Sequence, residues 1–327
     1  MPIWHPTPTE TLLARTPVTF ATGAALPVRG MRWFRDAERR DIQAELPGWP
    51  EGPVYTPRSA GRAAGRGLVT HLGFYVGNIA SAVVSSLVPG SEGSFGDAGS
   101  KTPDEPANEV EDFPVLWGAP GATARSLPWQ LDPARRDQRH YRTHLIVTDL
   151  RVVIVGLPHR ERGDAPPVED EVLWETPRSN IAEVVRRDFK RGDDFKVVFT
   201  DGSWCRLYSH WRQHATQYLI DHPDLVPLDS LTTVQRKAVE AFVAAQAPDA
   251  SQPAITVRAC GCCHVEVLAP SSTSSFYGIH GESLTMNAEG IEVDIMEYHL
   301  EDWSLEDLRR MRGQHRPLPP SYRDSQG

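Results

Sequence analysis

Four residues with soft donor atoms fall within one short run: Cys260, Cys262, Cys263 and His264 in CGCCH. Thiolates and a neutral imidazole together suit zinc. If residues 255 to 268 form a single strand, side chains alternate between its faces. Ile255, Val257, Ala259, Cys263, Val265 and Val267 then share an apolar face, and Cys260, Cys262 and His264 share the other. Those three are the candidate metal ligands, with His280, His299 or a carboxylate as a fourth. Common zinc modules place at least two residues between cysteines, and a bulge at Gly261 would scatter the set. Reduced structural cysteines are the alternative. A redox-sensing use of the same thiols is a further one. Zinc is the only cofactor this chemistry implies.

A second set is basic. Arg186, Arg187, Lys190 and Arg191 cluster at an expected hairpin tip, and Arg142 and Arg151 flank an earlier one. Clustered guanidinium groups grip phosphate bidentately, so these six are candidate ligands for an anionic headgroup. The rival is a solvated tip, because Asp188, Asp193 and Asp194 offset the charge. From Glu289 to Leu308 there are eight acidic residues and no Lys or Arg, which reads as a solvated surface or a dock for a basic partner.

The elements that position these residues follow from periodicity. HLIVT and RVVIVGL flank a turn at Asp149-Leu150, and EVLWE, IAEVVRRDF, DFKVVFT and SWCRLYS follow as strands. Asp201-Gly202 is a favoured two-residue hairpin turn. Trp211, Ala215, Tyr218 and Leu219 repeat at helical spacing. A second helix is expected from about Thr233 to Gln246, started by a Thr232/Gln235 capping box. A short helix is also expected over residues 32 to 46.

Gly67 to Val88 carries no Asp, Glu, Lys or Arg. Leu68, Leu72, Tyr75, Val76, Ile79 and Val83 form one helical face. Gly73, Gly77, Ser81 and Ser85 repeat every four residues on the other side, and Arg58, Arg62 and Arg66 precede them. Arg62, Arg66, Leu68, Leu72, Val76 and Ile79 are therefore the candidate membrane contacts of an interfacial helix. The small-residue ridge also suits a homo-oligomer. A buried, glycine-rich packing segment and a membrane-spanning helix are the competing readings.

The stretches HLIVTDLRVVIVG, EVLWETPRSNIAEV and DFKVVFTDGSWCRLYS, with the helix after them, resemble bacterial pleckstrin-homology-like or GRAM-type domains. The likeness covers about a quarter of the chain, residues 145 to 220. It implies a β barrel plugged at one end by a C-terminal helix. It also implies that the ligand is a phosphoinositide, another anionic lipid, a peptide or a partner domain.

The expected fold class is α+β: a central barrel with its helix, a small β-rich C-terminal segment, and disordered linkers. The expected divisions are a proline-rich, weakly ordered segment at 1–57, the amphipathic helix at 58–89 and an acidic linker at 90–112. The barrel domain at 113–228, a helix at 229–248, a small α/β segment at 249–315 and a disordered tail at 316–327 follow. G-x-S-x-G, H-E-x-x-H and dinucleotide fingerprints are absent. The net charge of −9 disfavours nucleic acid. The start lacks a basic and apolar leader. The sequence thus points to a non-enzymatic binding or adaptor protein, cytoplasmic or peripheral to the inner face of the membrane. Its partner would be a protein or an anionic lipid surface.

Overall fold

The structure is a computed structural model of the chain. It describes residues 3–21, 34–38, 40–55, 114–136, 141–158, 169–187, 194–220, 225–274, 278–279 and 281–294. The fold is α+β and mostly sheet. Its first strands are β1 (Leu12–Pro17), β2 (Thr19–Phe20), β3 (Phe34–Arg35) and β4 (Leu116–Trp117). β5 (Tyr141–Thr148), β6 (Arg151–Pro158), β7 (Glu171–Pro177), β8 (Ile181–Arg187), β9 (Asp194–Phe199) and β10 (Trp204–Tyr208) follow. Helices α1 (Arg212–Ile220) and α2 (Thr233–Ala244) precede β11 (Ala254–Val257), β12 (Cys263–Leu268) and β13 (Gly281–Met286). No described helix is long and apolar enough to cross a membrane.

The chain divides into two units. Unit one holds residues 1–223, 246–254 and 267–282 and contains two sheets. The first is antiparallel, in the order β1–β5–β6–β7. The second runs β3–β4–β10–β9–β8, with β2 paired to β10 beside that path. β5 and β6 form a hairpin because the runs Leu145–Val147 and Val152–Val155 flank a turn that Thr148 organises. Its hydroxyl accepts the Leu150 and Arg151 N–H groups at 3.2 and 2.9 Å. One face of the first sheet buries Leu12, Ile146, Val153, Val155 and Leu157 with Trp4, Leu268 and Ile279. α1 packs against β1 and β5 of the first sheet and β8 and β9 of the second. The Trp174 and Phe199 rings also meet between the sheets, with centroids 6.2 Å apart.

Gly202 closes the β9–β10 hairpin at a φ of +79°, a left-handed value that glycine adopts without strain. Asp201 accepts the N–H and hydroxyl of Thr123 at 2.7 Å each, and those of Ser203 at 2.9 and 2.6 Å. Burial alone would raise its pKa, but these donors outweigh it and hold the carboxyl at about 2.

Two expectations change. The expected barrel is not closed: β5 to β10 divide between the two sheets. Two of the edges that closure needs, those of β10 and β1, are engaged by other chain segments. β10 pairs with β4 and β2, and on β1 the Arg15 carbonyl accepts the Ile279 N–H at 3.1 Å. The helix expected at 32–46 is replaced by β3 and a 3-10 turn over Gln43–Glu45. Asp36 accounts for part of this, accepting the Arg40 backbone N–H at 2.7 Å and its Nε–H at 2.8 Å, a local alternative to helix. Phe34 is buried against the rings of Phe20, Trp49 and Tyr55.

Unit two holds residues 224–245, 255–266 and 283–327, and so carries most of the sheet β11–β12–β13. The Thr232/Gln235 capping box starts α2 as the sequence predicts.

Candidate functional site

The segment expected as one strand from 255 to 268 is a hairpin. β11 ends at Val257 and β12 begins at Cys263. The Arg258 N–H donates to the Cys262 carbonyl at 2.9 Å, and the Gly261 N–H to the Arg258 carbonyl at 2.8 Å. Gly261 sits at a φ of +86°, the conformation such a turn requires. Ile255, Cys263, Val265 and Val267 are buried as expected, but Val257 and Ala259 are exposed because the turn breaks the alternation.

The turn sets Cys260 and Cys262 together at the tip. Cys260 is exposed and Cys262 half-buried. Their thiols are hydrogen-bonded to each other, and the Ala288 backbone N–H donates to the Cys262 sulfur. The bond to Cys260 is the main reason the Cys262 pKa lies above its ordinary value, with burial second. Gln235 fixes the turn from α2: its Nε2 donates to the Gly261 carbonyl at 2.9 Å and to the Asn287 carbonyl at 3.1 Å. The neighbouring Cys263 is fully buried, and burial pushes its thiol up to about 11.

His264 engages other groups. Its Nδ1 lies 2.8 Å from the Thr285 hydroxyl, and its Nε2 lies 3.9 Å from a Glu266 carboxylate oxygen. Among the described residues, no group of three or more His, Cys, Asp and Glu side chains is arranged to hold a metal ion. The thiols of Cys260 and Cys262 remain the two soft donors that the fold brings together. Glu289, Glu292 and Asp294, the described part of the acidic run, are exposed.

The basic candidates do not gather in one place. Arg142 pairs with Leu157 and Arg151 with Pro177, so they mark opposite ends of the β5–β6 hairpin. At about 3.3 Å per residue this separates them by roughly 20 Å. Arg151 is already engaged: it donates to Glu10 at 2.8 and 2.9 Å and to Glu175 at 2.8 Å. Burial would raise the Glu10 pKa, but the bonds from Arg151 and Thr7 outweigh it and hold Glu10 below the usual carboxylate range. Arg186 is exposed on β8 and donates to the Thr216 hydroxyl of α1 at 2.7 Å. The side chain of Arg187, and Lys190 and Arg191 entirely, lie outside the described residues, as do Arg62, Arg66, Leu68, Leu72, Val76 and Ile79.

Sequence reading missed a buried ionic cluster in unit one. Arg15 clasps Asp170 bidentately, with N–O distances of 2.7 and 2.6 Å, and both side chains are 1% exposed. Arg15 Nε also donates to His144 Nδ1 at 3.2 Å, so that nitrogen is the imidazole's acceptor. The Trp4 N–H adds a bond to Asp170 at 2.6 Å. Arg15 pairs with Ile146 and Pro17 with His144, which makes Arg15 and His144 diagonal neighbours on one sheet face. Nothing local signals this, because Asp170 is 155 residues from Arg15. Such a cluster holds strands together and presents no open acid or base. Compared with protein-family models, with curated proteins and with solved structures, the chain matches none.

Proposed function

We propose that the chain is a non-enzymatic binding protein whose unit one is a pleckstrin-homology-like module, and that its ligand is an extended segment of a protein partner added along β7. The module reading is supported by strand order. Four antiparallel strands (β1, β5, β6, β7), then three more (β8, β9, β10), then α1 follow the sequence of such a domain, with a long insertion after its first strand.

The observation that carries the binding reading is the contrast between the two edges of the first sheet. The β1 edge is engaged by the Ile279 N–H. The β7 edge has no strand beyond it among the described residues. β7 is also mostly exposed, with Val172 at 51%. An open edge offers backbone donors and acceptors to an incoming chain, and alternate side chains supply selectivity. A headgroup reading draws less support, because Arg151 is neutralised and Arg142 lies far from it.

Selection of random peptides against the immobilised chain tests this. Selected peptides are expected to slow hydrogen exchange in residues 171–177 and to lose affinity on Val172→Lys. Anionic vesicles that float the chain, with no peptide protecting β7, would transfer the ligand role to a lipid surface and overturn the reading.

A further inference from the structure

We propose that Cys260 and Cys262 form a reversible dithiol–disulfide site that exchanges with low-molecular-weight disulfides such as oxidised glutathione. The geometry of the tip carries this. Cys260 and Cys262 flank a left-handed glycine that turns the chain back on itself, and their thiols are near enough to perturb one another. Two residues apart, the Cα atoms are at most about 7.6 Å from each other, and a turn shortens that toward the roughly 4.4–6.8 Å span a disulfide needs. The tip is held in this form from three sides. Gln235 grips the Gly261 carbonyl, the Ala288 N–H grips the Cys262 sulfur, and a Cβ on Gly261 would lie 3.1 Å from the Ala288 Cβ.

Exposure assigns the order of attack. Cys260 is the open thiol and Cys262 the half-buried one. The Cys260 thiolate, its proton released to solvent, attacks one sulfur of the small disulfide RSSR. A mixed disulfide forms and RS⁻ leaves. The Cys262 thiol then gives up its proton and attacks the Cys260 sulfur. The protein disulfide forms and a second RS⁻ leaves. The balance is one dithiol plus RSSR giving one protein disulfide plus two RSH, with both protons accounted for as thiols. Thiolate attack through a mixed disulfide is the ordinary route of such exchange. Cys263 and Cys205 are buried and stand outside it.

The test equilibrates the full-length chain with mixtures of reduced and oxidised glutathione, quenches with acid, alkylates the remaining thiols and maps the cysteines by mass spectrometry. The expected product lacks one hydrogen from each of Cys260 and Cys262 and carries no glutathione. Cys262→Ser should instead accumulate glutathione on Cys260. Cys260→Ser should react more than tenfold more slowly than Cys262→Ser. Circular dichroism of both variants establishes that they fold. Persistent glutathione on Cys260 in the wild type, or a bridge to Cys263, would overturn the proposal. So would unreacted thiols at an oxidised-to-reduced ratio that fully oxidises a control dithiol peptide.

Discussion

Two groups of reactive side chains differ in one decisive respect. In unit one, Arg15, Asp170 and His144 are buried among β1, β5 and the residue before β7, where Arg15 bonds to both partners and Asp170 also accepts the Trp4 N–H. In unit two, Cys260 and Cys262 meet at a hairpin tip, one exposed and the other half-buried. A buried charge must be matched by an opposite charge and by hydrogen bonds, or the fold is strongly destabilised. Matching it uses up the chemistry. Neutral thiols at a hairpin tip face no such demand, so they can meet without a matching charge. Clustering of titratable groups therefore says little about function until burial is known.

The largest effect that could break this comparison is on Asp170. Asp170→Asn leaves Arg15 buried without its counter-charge, and should lower unfolding free energy by about 3–5 kcal/mol. Urea denaturation measures this. A loss below about 1 kcal/mol would show that the cluster is solvated and open, and the contrast would collapse.

A smaller effect sharpens the acid response of the same sheet. Glu10 has a lowered pKa when folded. Its contribution is complete above its unfolded value, about 4.3, and is lost as pH falls through the lower folded value. Glu10→Gln should reduce stability at neutral pH by about 1–3 kcal/mol. It should also flatten the fall in thermal midpoint below about pH 4. Arg151 keeps its bond to Glu175, which limits the loss. An unaltered acid slope in the variant would place the pH dependence elsewhere.

The smallest expected effect lies at the tip. Cys260→Ser should change stability by no more than about 0.5 kcal/mol, the usual range for an exposed position. A loss of several kcal/mol by denaturant titration would make the thiol contact structural, and would align unit two with unit one.

Much of unit one is legible in sequence because its signals are local. The β5–β6 hairpin announces itself by short β-branched runs on either side of a Thr-Asp-Leu turn, and β9–β10 by Asp201-Gly202. The strand β1 is not legible. LLARTP contains an arginine and ends in proline, yet Leu12, Leu13, Ala14 and Arg15 are all buried. Its strand character comes from β5, more than a hundred residues away in sequence. The tip was half legible. Alternation along a strand places Cys260 and Cys262 near each other, but the four residues Arg258-Ala259-Cys260-Gly261 carry a turn ending in glycine, which a single-strand reading overrides.

The sequence by itself determined the strands and helices whose patterns are read within a few residues, the Thr232/Gln235 cap and the presence of three neighbouring cysteines. Tertiary structure decided which edges close the sheets, why Arg151 is held by Glu10 and Glu175, and which thiols face each other. The reason is physical. Periodicity and turn preference act over one turn of backbone, whereas burial and charge pairing depend on residues that only folding brings within a few ångströms.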